Sequence, residues 1–321
     1  MRGTTIRQSI RTHNQLGRST SPSSRLRRLK MNIPWLIMFT PVALFFIIFK
    51  YAPMAGLVIA FKNYTVYEGV WGSQWVGLDN FRMLFRDPSA ISTIRNTLTL
   101  SLLSMFVSFP FPIMLAIFLN EVRKLWFKKT VQTLVYLPHF LSWVIVSGMV
   151  ITLFSQESGI VNHLLEKLTG ATYPFLYKEG SWITVFVASG IWKSAGFAAI
   201  IYLASLTTID PSLYEAACMD GAGKMRQIWH ITLPGIRPTI VLMLILNMGH
   251  VLEVGFDQVF TLQNSAVAAV SEVISTYMYR VGLQGFQFGL TTAMGLFESV
   301  VAFILVVLTN MIARKFNQGL W

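Results

Sequence analysis

Six stretches of the chain are apolar for long enough to cross a lipid bilayer: residues 33–50, 97–119, 132–154, 182–206, 236–256 and 289–312. A hydrocarbon core of about 30 Å takes about 20 residues of helix, at about 1.5 Å of rise per residue. Helices of soluble proteins interrupt such runs with a polar face at every turn. Pro41, Pro110, Pro112, Gly148, Gly190 and Gly196 fall inside these stretches, which membrane helices tolerate better than soluble ones. Kinks are expected near Pro110 and Pro112. Between the first two stretches, residues 50–96 carry Trp71, Trp75, Phe81 and Phe85 among polar residues and read as an amphipathic segment on the outer membrane surface. The pattern predicts an all-α integral membrane protein of about six transmembrane helices. It divides into a basic tail at 1–31, rich in Arg, Ser and Thr and without apolar periodicity, and a transmembrane domain at 32–321. The tail is expected to be disordered. A cleaved signal peptide is the competing view, but the basic region is too long and no small-residue cleavage site follows the apolar run.

Composition agrees. Only 12% of residues are charged, against about 25% in soluble proteins, which leaves too little polar surface to cover a water-soluble globule. The net charge of +12, read alone, would suggest nucleic acid. Its placement argues for lipid headgroups and topology instead, with no nucleic-acid partner: eight of the 26 Lys and Arg lie in the first 30 residues and most others flank apolar stretches. With the amino terminus inside, the inner segments hold 17 of these cations and the outer ones 8. Both termini are therefore expected in the cytoplasm. Arg123, Lys124, Lys128 and Lys129 read as a solvated, lipid-facing cluster. Cys218 is the sole cysteine, so neither an intrachain disulfide nor a cysteine-rich metal site is available.

The longest inner loop, 207–238, has local structure of its own. Asp210 is a good helix N-cap and Pro211 suits the first helical position. Residues 212–219 can then make two turns, Gly221 permits a tight reversal, and a second short helix over 224–232 is expected to end near Pro234. Ala216 and Ala217 leave a small-surfaced face that another protein can approach closely, while Glu215 and Asp220 offer partners for Arg or Lys. About thirty residues is more than a simple connection needs.

This loop resembles the signature of permeases from binding-protein-dependent ABC importers: Glu-Ala-Ala, three residues, Gly, nine residues, Ile, one residue, Leu-Pro. Glu215, Ala216, Ala217, Gly221, Ile231, Leu233 and Pro234 fill every fixed position. The resemblance covers roughly residues 31–321 and implies the type I importer fold. It makes 207–238 a coupling loop that seats in a cleft of a nucleotide-binding subunit. It further implies a second, homologous permease chain as a heterodimer partner, two ATPase subunits and an extracellular or periplasmic sugar-binding protein, in a bacterial cytoplasmic (inner) membrane. No cofactor is expected on this chain. It contains no Gly-x-x-x-x-Gly-Lys-Ser/Thr phosphate loop, so ATP and Mg are left to the partner ATPases, and the chain is not itself an enzyme. Trp75-Val-Gly-Leu-Asp-Asn-Phe81 is similar to a stretch of maltose- and glycerol-phosphate-type permeases. Asn120-Glu-Val-Arg-Lys, Tyr136-Leu-Pro-His-Phe140 and the segment Tyr214–Gly223 resemble the subgroup serving acidic and complex oligosaccharides such as alginate, aldouronate and rhamnogalacturonan fragments.

Polar groups inside spans are costly and are functional candidates by default. Lys193 costs about 2.5–3.5 kcal/mol to insert, which the surrounding Leu, Ile, Val and Phe offset. Two readings stand: an ion pair with Glu253 or Glu298, or contact with substrate carboxylates while Trp192 packs on a sugar face. Asn247, His250, Glu253 and Asp257 recur at three- and four-residue steps and predict one polar stripe on the fifth span, lining the translocation path. A metal site, a proton relay and a subunit contact are the alternatives. Glu298 is expected to pair with a charge on a neighbouring helix. His139 lacks any nucleophile constellation around it. An ion-coupled secondary sugar transporter is the rival function; it often carries inverted repeats, and none is recognisable.

Overall fold

The computed structural model describes residues 22–315. Most of the expected tail, residues 1–21, lies outside them, but helix begins at Pro22, within the stretch expected to be disordered. This first helix runs Pro22–Phe46 and continues through a π turn at Ile47–Tyr51. The wider turn falls just before Pro53, whose missing N–H would otherwise leave a gap in the i→i−4 ladder. Residues 32–61 form its membrane-length portion.

The remainder of the chain, from Val58 onward, forms one compact unit. After the first helix, a two-residue antiparallel ribbon pairs β1 (Lys62–Asn63) with β2 (Gln74–Trp75). A short amphipathic helix, Asp79–Arg86, follows. Asn80, buried beneath the ribbon, donates to the carbonyls of Ala60 and Lys62 at 2.9 and 3.0 Å. Phe61 stacks on Trp75, and Gly289 of the last span lies so close that a Cβ there would press on Lys62 and Asn80. Asn80→Ala should therefore cost about 1–3 kcal/mol, since a buried carbonyl at Ala60 and a part-buried one at Lys62 lose their donor. Thermal unfolding in detergent measures this, and an unchanged midpoint would show that water replaces the amide without loss.

Among the described residues, five helices are long and apolar enough to span: 32–61, Pro88–Glu121, Glu179–Leu206, Lys224–Gly249 and Phe288–Lys315. The second breaks briefly at Phe109, between helices Pro88–Ser108 and Pro110–Glu121, beside the prolines where a kink is expected, though Phe109 itself keeps helical dihedrals at φ −58° and ψ −39°. The expected third span, 132–154, is not one straight helix. Leu125–Phe140 and Trp143–Phe154 meet at 102°. Pro138 withholds a backbone donor, and Ser142 caps the new helix by accepting from the Ile145 N–H at 3.4 Å. Counted as one bent crossing, this pair brings the total to six.

The fourth span, Glu179–Leu206, is the hub. It packs most extensively on Pro110–Glu121 and also contacts the bent pair and the fifth span. Ile113, Ala116, Ile117, Ala199, Tyr202, Leu206 and Ile236 make the core toward the 207–223 loop. Val146, Trp182, Val185, Val259 and Val267 belong to the core at the opposite end, where the Trp182 indole N–H donates to the Leu262 carbonyl at 3.0 Å.

Candidate functional site

Two sites emerge, one on the 207–223 connection and one between the helices. In the first, the Asp210 carboxylate accepts from the Ser212 N–H at 2.9 Å, and this backbone bond holds its pKa below the usual carboxylate value. Pro211–Met219 form the expected short helix. Gly221 closes it with φ +74°, a left-handed conformation that a β-carbon would strain, and the Ala222 N–H reaches back to the Ala217 carbonyl at 2.9 Å. None of the helix's residues is buried. Glu215, Ala216 and Asp220 are exposed, Ala217 is half-buried, and Leu213 and Met219 present apolar side chains to the surroundings.

The expected second short helix does not end near Pro234. Helix runs from Lys224 through a π turn at Ile228–Thr232 into Leu233–Gly249 without interruption. The π turn ends two residues before Pro234, as the first one does before Pro53, and absorbs the missing donor in the same way. The connection is therefore an elbow of about 207–223, shorter than the 207–238 expected from hydropathy. Three contacts fix its angle. Tyr214 Oη lies 3.0 Å from Thr232 Oγ1, Gln227 Nε2 donates to the Ala222 carbonyl at 3.1 Å, and Lys224 Nζ pairs with Glu121 Oε2 at 2.8 Å. The last bond ties the elbow to the end of the second span.

The second site is a cavity of about 420 Å³ bounded by the second, fourth and fifth spans. Ser101, Ser104 and Ser108 face it from one side, Gly190 and Ser194 from another, and Tyr202, Asn247, His250, Glu253 and Gln258 complete its polar lining. Phe109 and Phe186 add aromatic surface. Hydroxyl and amide groups beside aromatic rings suit a polyhydroxylated ligand, whose C–H faces stack while its hydroxyls exchange hydrogen bonds. His250 Nδ1 sits 2.9 Å from Glu253 Oε2, and Gln258 is held by donating to the Phe186 carbonyl at 2.7 Å.

The expected stripe is only partly assembled. The fifth span ends at Gly249, His250 leaves helical geometry at φ −110° and ψ 11°, and a new helix starts at Phe256. Asn247, His250 and Glu253 reach the cavity, whereas Asp257 opens the following helix and does not. The glycines on either side, Gly249 and Gly255, are poor helix formers and bound the break. With Asp257 separated, no trio of His, Cys, Asp or Glu among the described residues could hold a metal.

Lys193 also sits elsewhere than expected. It is 8% exposed, its Nζ donates to the His139 carbonyl at 2.8 Å, and it lies 5.5 Å from the Trp143 ring centroid. It pairs with neither Glu253, which meets His250, nor Glu298, which takes part in none of the ion pairs among the described residues. The bend at 137–142 frees carbonyls that a continuous helix would satisfy, and the buried ammonium answers one of them. Trp192 lines a separate apolar hollow with Val146, Met149 and Leu153. The cavity serines and Gln258 went unremarked in the sequence. Ser101, Ser104 and Ser108, at steps of three and four, mark one face of the second span, a signal that was there to find. Gln258 carries no such signal.

Residues 108–319 match the family described as binding-protein-dependent transport system inner membrane component. The chain is 46% identical over 282 residues to the polygalacturonan/rhamnogalacturonan transport system permease protein YteP of Bacillus subtilis (strain 168), covering 88% of each chain. It is 44% identical to protein LplB of the same organism, covering 94% of each. Among solved structures, a bacterial ABC transporter involved in the import of the acidic polysaccharide alginate matches with a TM-score of 0.84 at 42% identity, covering 91% of this chain and 99% of that one. A second crystal structure, of a bacterial alginate ABC transporter with an alginate pentasaccharide-bound periplasmic protein, matches with the same score and identity and covers 98% of that chain.

Proposed function

Because the chain belongs to the binding-protein-dependent transport system inner membrane components, a family of multi-pass permeases of the cytoplasmic membrane, we propose that it forms one half of the translocation path of an importer for acidic oligosaccharides. Both termini lie in the cytoplasm, a second homologous permease completes the path, and a binding protein outside delivers the sugar. Two separate ATPase subunits, holding ATP and Mg²⁺, supply the work. The observation that carries this reading is the exposed elbow, where Glu215-Ala216-Ala217 and Gly221 stand clear of the core on a helix with no buried residue. Uronate-containing oligomers as cargo are supported by the relatives, one a polygalacturonan/rhamnogalacturonan permease and another an alginate importer.

The geometry supplies a route for the work. Helix is continuous from Lys224 to Gly249, about 26 residues or roughly 39 Å of lever at 1.5 Å each. One end is the elbow and the other carries Asn247 and His250 at the cavity. When an ATPase cleft moves Glu215–Asp220, Tyr214–Thr232 and Lys224–Glu121 pass the displacement to the fifth and second spans together. Both spans line the cavity, so its walls shift relative to the fourth. Substrate hydroxyls meet Asn247, the serines and Gln258, and His250 faces the charged groups.

Vesicles holding the assembled complex, with ATP inside and the binding protein outside, test this. Uptake of a uronate oligosaccharide should require both ATP and the binding protein. Glu215→Lys should drop uptake at least tenfold while the permease remains inserted. Uptake driven by an ion gradient alone would defeat the reading, and full transport by the Glu215→Lys complex would remove the elbow from it.

A further inference from the structure

An acidic sugar needs donors for its carboxylates, and the cavity between the helices is short of them. None of its lining residues is Lys or Arg. Lys193 is the sole Lys or Arg in residues 96–122, 179–223 and 238–279, and its ammonium is turned to the His139 carbonyl. The amide donors are committed as well. Asn247 Nδ2 donates to the Met243 carbonyl at 2.7 Å. Gln258 Nε2 donates to the Phe186 carbonyl at 2.7 Å and to Ser189 Oγ at 3.3 Å. The Ser101 hydroxyl donates to the Thr97 carbonyl. These three side chains are left with oxygens to offer, which accept from sugar hydroxyls and repel a carboxylate. His250 differs. It stands in the break of the fifth span, where the Glu253 N–H donates to the His250 carbonyl at 3.0 Å and brings the two side chains together. His250 Nδ1 meets Glu253 Oε2 at 2.9 Å, while Nε2 has no hydrogen-bond partner among the described residues. The side chain is 73% exposed and lines the cavity.

We propose that His250 is the side chain with which this chain reads a sugar carboxylate, and that Glu253 is its positioning residue. The assignment rests on acidic oligosaccharides being the cargo, and it narrows their recognition on this wall to one pair. A ring protonated on both nitrogens donates from Nδ1 to Glu253 and from Nε2 to a carboxylate oxygen of the cargo, both as charge-assisted hydrogen bonds. Without Glu253 the exposed ring has no bond to fix its plane, and Nε2 loses its aim. The hydroxyls of the same sugar fall to the oxygens of Asn247, Gln258 and Ser101. Charge and hydroxyl pattern are thus read by separate groups.

The test measures sugar binding by calorimetry to the assembled complex in nanodiscs, without the binding protein, so that the permease alone selects. Two ligands, a uronate trisaccharide and its methyl ester, share their hydroxyls and differ in charge. Wild type should bind the acid more tightly. His250→Gln should lower the ratio of acid to ester affinity about tenfold, the loss expected when a charge-assisted hydrogen bond goes. Glu253→Ala should lower it about threefold, as an exposed pair allows, and Glu253→Asp, which keeps a carboxylate, should restore most of it. Asn247→Ala, which removes a hydroxyl partner, should weaken both ligands in proportion. A ratio unchanged by His250→Gln would move charge recognition to the partner permease and overturn the proposal. A ratio raised by Glu253→Ala would make Glu253 a repulsive wall and equally overturn it. Wild type that binds acid and ester alike defeats this assignment alone, whereas wild type that binds neither defeats the acidic-oligosaccharide reading with it.

Discussion

Gly196→Val should abolish the folded permease. The fourth span passes the helix Leu125–Tyr136 at this glycine so closely that an added Cβ would overlap the carbonyl oxygen of Val135. The obstacle is backbone, which cannot rotate away as a side-chain end can. Relief requires the two helices to part along their contact, losing the dispersion that holds membrane helices together, since the hydrophobic effect contributes nothing between helices in lipid. Overpacking of a side chain costs about 1–3 kcal/mol, and a backbone clash belongs at or above the top of that range. Even Gly196→Ala should lower the thermal midpoint. Gly148, whose Cβ would meet nothing within 4 Å, is the control, and Gly148→Ala should fold like wild type. Monodisperse yield and thermal unfolding in detergent decide the matter. A Gly196→Val protein as stable as the Gly148→Ala control would show that these helices do not approach as described.

Lys193→Glu should be nearly as damaging, for an electrostatic reason. The ammonium satisfies the His139 carbonyl freed by the bend, while the Trp143 ring offers its negative face. A carboxylate there would face a carbonyl oxygen and an aromatic face, both repulsive, in a site 8% exposed. Leaving a buried charge without its partner costs about 3–5 kcal/mol. Lys193→Arg keeps the charge and a donor and should assemble. Lys193→Met separates structure from substrate contact. If the ammonium only braces the bend, the Met variant loses stability but keeps the wild-type ratio of acidic to neutral oligosaccharide uptake. A collapse of that ratio, with the midpoint unchanged, would return Lys193 to the translocation path.

Both positions depend on partners remote in sequence. Gly196 was visible as a glycine in a span, yet nothing near it in sequence announces Val135, 61 positions earlier. Lys193 was visible as a costly charge, and the partners nearest in chemical logic were Glu253 and Glu298. The actual partner is a backbone carbonyl, and every residue has one, so composition cannot single it out. The Asn247–Asp257 stripe fails for a related reason. Helical periodicity assumes the helix continues, and it ends at Gly249.

Features that depend only on neighbours along the chain are legible before any helix packs. Apolar runs of sufficient length set the membrane class and the approximate spans. Asp210-Pro211 set a helix start, Gly221 set a reversal, and the fixed spacing from Glu215 to Pro234 pointed to the family. The 102° bend, the continuity of the fifth span through Pro234, the brace at Lys193 and the cavity drawn from three spans arise from packing between distant segments. Hydropathy measures how well a segment dissolves in lipid and carries no information on direction or partner. Those are settled when helices pack and each freed backbone group must find a donor or acceptor with no water to provide one.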